Sequence, residues 1–193
     1  MRKMAQKIIL AVLLVVACVH GEYDIYEGCG TTKQCLGNPG DCVPDKDCVT
    51  MSSTYVKDGK VIFEMRSWKS AKYIAMGLST DKEMGDDSVM ECVKEGDEIK
   101  AYSSWTVVGA NYASVREGIP QDIITLVDSK IIDGRIYCQV ERVDTVKIKK
   151  TTFDLTKKPY YMMLASGDTL RENGVDYHNL AYVVTKKKIN FKP

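Results

Sequence analysis

The strongest structural signal in the chain lies between residues 73 and 92, in the sequence Tyr73-Ile74-Ala75-Met76-Gly77-Leu78-Ser79-Thr80-Asp81-Lys82-Glu83-Met84-Gly85-Asp86-Asp87-Ser88-Val89-Met90-Glu91-Cys92. An apolar run leads into a polar turn, and a second strand pattern follows. Ile74, Met76 and Leu78 alternate onto one face, which predicts a β-strand. Met84 lies in the turn, where it has no core to fill. A chemical role for its thioether, which is a soft metal ligand, is therefore favoured.

The same period-two alternation continues on both sides of this stretch. Turn signals such as Lys57-Asp58-Gly59-Lys60 and Asp133-Gly134 separate the runs and predict hairpins. No stretch carries a sustained helical stripe, so the chain is predicted to be an all-β sandwich or barrel. Besides the strand that follows the Met84 turn, the predicted strands are Lys60 to Trp68, Tyr73 to Ser79, Glu98 to Val108, Asp122 to Ser129, Arg135 to Val143, Pro159 to Ser166 and Leu180 to Thr185.

Residues 1–21 are predicted to be a secretory signal peptide. A basic start precedes an apolar run from Ile8 to Cys18, and small residues at Val19 and Gly21 suit cleavage before Glu22. We therefore expect a secreted, extracellular protein, with a cysteine-rich segment at 22–48 and a β-sandwich at 49–193. The apolar run is too short for a good membrane span, and we expect neither a membrane span nor a lipid anchor in the mature chain.

The charge balance argues against nucleic acid as a partner. Without the signal peptide the chain keeps 24 basic and 26 acidic residues. A net charge of about −2 provides no electrostatic basis for binding a phosphate backbone.

Six cysteines remain in the predicted mature chain, and an even number in an exported protein predicts disulfides. Cys29, Cys35, Cys42 and Cys48 lie in the loop-like N-terminal segment without the paired spacing of a zinc site, and all three of their pairings remain open. Cys92 and Cys138 each lie in a strand pattern. We propose a Cys92–Cys138 bridge between two strands, with two buried free thiols as the alternative.

Only one histidine, His178, remains after signal cleavage. This excludes a two- or three-histidine zinc or copper centre. It also excludes a Ser-His-Asp triad unless His178 is its base, and no Gly-x-Ser-x-Gly motif accompanies it. One His and one Met are enough to hold haem iron from both sides. Our hypothesis is that Met84 and His178 are the axial ligands of a b-type haem. The alternatives are a surface histidine at a strand entry and Met90 as the ligand, although the position of Met90 suits core packing better.

The acidic residues of the turn have a simpler interpretation than catalysis. Adjacent Asp86 and Asp87 point apart in a turn or strand, so they do not form a facing acid–base pair. Asx-type hydrogen bonds that fix the turn and orient Met84 are the favoured role. A calcium loop that includes Asp81 and Glu83 lacks the spacing of an EF-hand.

The opening stretch resembles the core motif of DOMON domains, in the variant found in ferric-chelate reductase and stromal-cell-derived-receptor relatives. Three further segments match in the same order, and the resemblance spans Gly28 to Asn190. These segments are the cysteine-rich start Gly28-Cys29-Gly30-Thr31-Thr32-Lys33-Gln34-Cys35 with the later Cys42 and Cys48, the strand Ile136-Tyr137-Cys138, and Tyr161-Met162-Met163-Leu164-Ala165-Ser166-Gly167 followed by Tyr177-His178.

This resemblance implies an immunoglobulin-like antiparallel β-sandwich that holds haem b between the family's Met and His ligands, which fall here on Met84 and His178. It implies extracellular electron transfer, and we expect a carrier rather than a stand-alone enzyme. Many relatives are fused to a transmembrane cytochrome that is not expected here, so the redox partner is open. The alternative is a haem-free binding module for a small ligand, such as a sugar or a catechol, or for an extracellular partner. A copper monooxygenase role is set aside because it needs more than one histidine.

Overall fold

The regular secondary structure is entirely β in the computed structural model, which describes residues 24–43, 46–109 and 114–192. The predicted signal peptide lies outside these residues. Within them the strands are β1 (Gln34–Asn38), β2 (Thr50–Lys57), β3 (Lys60–Arg66), β4 (Tyr73–Ser79), β5 (Ser88–Glu95), β6 (Glu98–Thr106), β7 (Ser114–Val115), β8 (Ile124–Ile132), β9 (Arg135–Arg142), β10 (Thr145–Ile148), β11 (Thr151–Asp154), β12 (Tyr161–Gly167), β13 (Leu170–Arg171), β14 (Gly174–Val175) and β15 (Ala181–Val184).

Two antiparallel sheets form the sandwich, as the sequence predicted. One has the order β1-β2-β3-β9-β8, and the other has the order β15-β12-β4-β5-β6-β7. Two small hairpins, β10-β11 and β13-β14, complete the described fold. The strand β12 lies beside β4 although more than 80 residues separate them in the sequence, and its Ala165 is directly opposite Ala75.

Local turn chemistry explains two of the hairpins. Asp58 and Gly59 have φ angles of 51° and 76°, and Asp133 and Gly134 have φ angles of 51° and 75°. An Asp-Gly pair in the left-handed region closes a tight antiparallel hairpin because its twist matches that of the strands. The predicted turns between β2 and β3 and between β8 and β9 are therefore confirmed.

The main core lies between the two sheets. On β4 it takes the even positions Ile74, Met76 and Leu78, which the alternation placed on one face. Met90 belongs to the same core and is fully buried. Cys92 on β5 is bonded to Cys138 on β9, so the disulfide joins one sheet to the other.

The N-terminal segment is more ordered than the sequence suggested. The expectation of a loop-like segment is wrong for Gln34–Asn38, because β1 pairs with β2 through the backbone and this pairing needs no apolar alternation. The disulfides are Cys29–Cys35 and Cys42–Cys48. Lys33 Nζ lies 2.7 Å from the buried Glu64 carboxylate on β3, which holds the segment against the sheet.

Several short strands were also not predicted. The alternation pattern contains no separate signal for β7, β10, β11, β13 or β14, each of which has only two to four residues. A run of that length is too short to show alternation, so only the pairing partner defines it. No helix in the described ranges is long and apolar enough to cross a membrane.

Candidate ligand-binding site

A pocket lies on the outer face of the six-stranded sheet, on the side away from the main core. Its floor is built from odd positions of β4 and β12, where the small residues Ala75, Gly77 and Ala165 stand. Met163 lies opposite Gly77, and Val89 of β5 lies on its other side. Because successive side chains of a strand point to opposite faces, the strand that fills the core with large residues leaves space behind it.

The space among the lining residues is about 450 Å³ when the part open to solvent is included. Segments from distant parts of the chain close over the floor. The β4–β5 loop contributes Met84 and Asp87, and the segment after β14 contributes His178. The structure therefore places Met84 and His178 in the lining of one cavity, although 94 positions separate them in the sequence.

Backbone geometry fixes the loop that carries Met84. Gly85 has a φ of 132°, a region that favours glycine, and a Cβ atom there would lie 2.7 Å from the side chain of Val108. The Asp87 carboxylate accepts hydrogen bonds from the Gly85 amide at 3.1 Å and from the Thr106 hydroxyl at 2.9 Å. The Asp86 amide donates to the Thr106 carbonyl at 2.9 Å. These bonds tie both sides of the loop to the end of β6.

The two aspartates of the loop differ in their roles. Asp87 is buried in the pocket wall, whereas Asp86 is exposed and has a φ of 59°. Burial raises the pKa of Asp87, and the hydrogen bonds from Ser79, Gly85 and Thr106 oppose this rise. The predicted Asx-type role therefore falls on Asp87, whose carboxylate accepts the hydrogen bond from the Gly85 amide within the turn.

His178 lies in a segment that several contacts hold against the sheet. The Tyr73 hydroxyl donates to the Asp176 carbonyl at 2.8 Å. The absence of a side chain at Gly167 allows this approach, because a Cβ atom there would lie 2.6 Å from the Tyr73 ring. The His178 ring is stacked on Tyr182, with centroids 4.5 Å apart and an interplanar angle of 16°. The centroid of the Tyr177 ring lies 4.7 Å from that of the His178 ring.

Desolvation favours the neutral imidazole at this position. Burial lowers the pKa of His178, because the charged ring would lose water contacts in the pocket wall. The neutral ring has a lone pair available on one nitrogen, which is the form that binds a metal.

A buried ion pair supports the pocket from one side. Glu91 on β5 is fully buried and lies on the same sheet face as Val89. Its carboxylate accepts from Arg116 Nε at 2.8 Å and from the Ser104 hydroxyl at 2.5 Å. The Ser114 hydroxyl, which lines the pocket, also donates to Glu91. The network anchors β7 and the Arg116 segment on the sheet and so shapes the pocket wall. Because the Glu91 carboxylate is paired with Arg116, it does not present an uncompensated charge to the pocket.

Sequence reasoning did not locate most of the pocket walls. Tyr182 lines the pocket and Tyr177 contacts His178. Met76 and Trp105 belong to the main core instead. The floor residues were missed, although the small residues at alternate positions of Ala75-Met76-Gly77-Leu78 could have signalled a cavity on the second face. The Glu91 network carried no sequence signal, since its partners are far apart along the chain.

Comparison with known proteins adds the family. The sequence model of the DOMON domain matches residues 45–167. The chain belongs to the DOMON domain family. Met84 lies inside the matched range, and His178 lies after it. No group of three or more His, Cys, Asp or Glu side chains arranged to hold a metal ion occurs in the ranges that the structure describes.

Curated relatives of this DOMON chain include several proteins named as reductases. It is 40% identical over 168 residues to the putative ferric-chelate reductase 1 homolog of Drosophila melanogaster, covering 86% of this chain and 26% of that protein. It is 32% identical over 162 residues to the putative ferric-chelate reductase 1 of Xenopus laevis, covering 83% and 26%. It is 26% identical over 162 residues to ferric-chelate reductase 1 of Bos taurus, covering 84% and 26%. The chain spans about a quarter of the length of these relatives.

Proposed function

We propose that this DOMON chain is a secreted haem b-binding domain for extracellular electron transfer, with Met84 and His178 as the axial ligands. The observation that carries the proposal is that both side chains line one apolar pocket. A thioether and an imidazole form a standard ligand pair for haem iron. The predicted signal peptide and the three disulfides favour export to an oxidising compartment.

The chemistry of the two donors fits haem. Haem supplies reversible one-electron chemistry when it is bound, and a Met/His pair raises its reduction potential. The lowered pKa of His178 keeps the imidazole neutral and able to coordinate. Stacking on Tyr182 restricts the rotation of the imidazole ring. The bonds of Asp87 to Gly85 and Thr106 hold the loop from which the Met84 thioether projects.

The floor of the pocket suits a flat, largely apolar group. Ala75, Gly77 and Ala165 leave room above the sheet, while Met163 and Val89 supply apolar contacts. A surrounding hydrophobic shell limits water and contributes to the redox potential of a bound metal. These residues bind, orient and exclude water, and none of them is needed as a nucleophile or a general base. We therefore propose a carrier of electrons and not a stand-alone catalyst.

The relatives favour a redox role over other uses of the fold. Their names assign the reduction of ferric chelates to whole proteins, of which the matched region is only about a quarter. For this chain we propose the electron-carrying part of such chemistry, with the donor and the acceptor left open.

An absorption spectrum tests the proposal. The protein should be purified with haem supplied, and spectra should be recorded before and after reduction by dithionite. We expect a Soret band and sharp α and β bands on reduction. Met84→Leu and His178→Ala should each shift or abolish these bands. Met90→Leu is the matched control, because Met90 is buried in the main core and should leave the spectrum unchanged.

A haem-free binding module is the second candidate, and the polar part of the pocket favours it. Asp87, Thr106 and Ser114 are polar residues of a lining that also includes the stacked His178 and Tyr182 rings. Such a combination can bind a hydroxylated ligand through hydrogen bonds and ring contacts. A protein that stays colourless after haem is supplied, yet releases heat on titration with catechol or a simple sugar, would establish this function instead.

A further inference from the structure

Three segments of the chain meet at the end of the six-stranded sheet where the Met84 loop begins. Ser79, the last residue of β4, is directly opposite Tyr161 of β12. Tyr160 bridges to Ile189 near the C-terminal end of the described chain. The β4–β5 loop, the turn between β11 and β12, and the segment after β15 are therefore neighbours in the fold.

These segments carry a concentration of lysines, which we call the basic surface. Its six members, all exposed, are Lys82, Lys157, Lys158, Lys186, Lys187 and Lys188. The segments 155–161 and 180–189 contain no acidic residue, and Lys82 is flanked by Asp81 and Glu83. Among the residues that the structure describes, only Lys157 of these six forms an ion pair, with Asp154 at 3.7 Å.

The basic surface is continuous with the face that holds the pocket. Tyr161 alternates with Met163 and Ala165 along β12, so its ring lies on the pocket side of the sheet. Lys82 Nζ and Lys188 Nζ lie 5.2 Å and 5.6 Å from the centroid of this ring. Lys82 is only two positions from Met84 in the sequence. A partner seated on the lysines would therefore be next to the loop that carries the proposed sulfur ligand.

We propose that the basic surface docks the acidic face of a redox partner protein, an inference that rests on the proposed electron-transfer function. The predicted mature chain is slightly negative overall, so a local excess of lysines gives it a charge asymmetry that can orient an approaching anion. Lysines on flexible stems, spread over three segments, suit rapid and reversible encounter more than tight recognition of one small anion. Electron exchange needs such short-lived complexes.

The test uses a plant-type ferredoxin as an acidic redox protein and measures binding by titration calorimetry at about 10 mM ionic strength. Two charge-matched triple variants are compared with the unchanged protein. One is Lys186→Glu, Lys187→Glu and Lys188→Glu in the basic surface. The other is Lys147→Glu, Lys149→Glu and Lys150→Glu in the β10–β11 hairpin, where the three lysines are also exposed. We expect the first variant to bind at least about tenfold more weakly and the second to change by less than about threefold.

Raising the ionic strength to about 0.2 M should remove most of the difference, because the interaction is between exposed charges. Equal loss in both variants would overturn the proposal, since net charge alone would then explain binding. Tighter binding to vesicles with 30% phosphatidylserine than to ferredoxin would also overturn it in favour of a membrane surface. A Lys→Gln version of the first triple variant replaces it if charge reversal prevents folding, with the same expected direction.

Measurement with and without haem separates this proposal from the one on which it rests. If the protein takes up no haem but its binding to ferredoxin still depends on the basic surface, the docking proposal stands and the haem-binding proposal is rejected. In haem-loaded protein, stopped-flow reduction by ferredoxin should be slowed at least about tenfold by the first triple variant. An unchanged rate would reject the docking surface and leave the haem site in place.

Discussion

The two faces of the six-stranded sheet are both buried, yet they have opposite roles. On β4 the even positions carry Ile74, Met76 and Leu78 and pack against the other sheet. The odd positions carry Ala75 and Gly77 and leave a pocket beneath the outer segments. Side-chain size, and not burial, therefore distinguishes the stabilising face of this sheet from the face that lines the candidate site.

The largest expected effect is on the core face. The double variant Cys92→Ala with Cys138→Ala removes the disulfide that links the two sheets. Its two cysteines are 46 residues apart in the sequence. The chain-entropy relation gives a loss of about 4 kcal/mol in the free energy of unfolding, measured by denaturant titration. The control, Cys29→Ser with Cys35→Ser, opens a loop of only 6 residues and should lose about 2 kcal/mol. An equal loss for both pairs would contradict this ranking.

Two methionines on paired strands provide a sharper comparison of the faces. Met76→Ala should cost about 3 kcal/mol, because it leaves a cavity in a close-packed core. Met163→Ala should cost only about 1–2 kcal/mol, because Met163 already borders empty space. Haem retention should respond in the reverse order, with the Met163 variant affected more. Thermal unfolding and the Soret absorbance of the same samples check both statements.

Filling the pocket should block the ligand at a smaller cost in stability than the loss of the core disulfide. Ala165→Phe places a ring over the floor, so we expect haem retention to fall at least about tenfold while the free energy of unfolding without ligand falls by about 1–3 kcal/mol. Ala165→Gly is the control and should retain the ligand. A fully haem-loaded Phe variant with an unchanged spectrum would place the ligand elsewhere.

The smallest effect concerns pH. Burial raises the pKa of Asp87 in the folded protein, so the folded state holds this proton more tightly than the unfolded chain does. The resulting contribution to stability is present below the unfolded-state pKa and is lost as pH rises through the folded-state pKa. We therefore compare the free energy of unfolding of Asp87→Asn with that of the unchanged protein, both measured without ligand. The value for the variant minus that for the unchanged protein should increase as pH rises from about 3.5 to 7. A constant difference over this range would argue against the raised pKa.

Much of the fold could be predicted because its signals are local. Alternation at Tyr73 to Ser79 predicted β4 with its observed bounds, and Asp-Gly pairs predicted two hairpins. The sequence also singled out the Cys92–Cys138 pair that the structure joins. Prediction was weaker for β1 and the two-residue strands, whose existence depends on a partner strand. For the candidate site, sequence reasoning selected Met84 and His178, and their role as ligands stays a prediction.

The alternation and turn signals of the sequence are enough to specify the all-β pattern and the main core face, and they leave His178 as the one histidine outside the predicted signal peptide. Folding in three dimensions places β12 beside β4, forms the common floor of Ala75, Gly77 and Ala165, and brings Met84 and His178 to the border of the same pocket. It also brings three lysine-bearing segments together beside that pocket. These features could not be read from the sequence because the local backbone sets side-chain direction in a strand, whereas strand order and register depend on contacts between residues far apart in the chain.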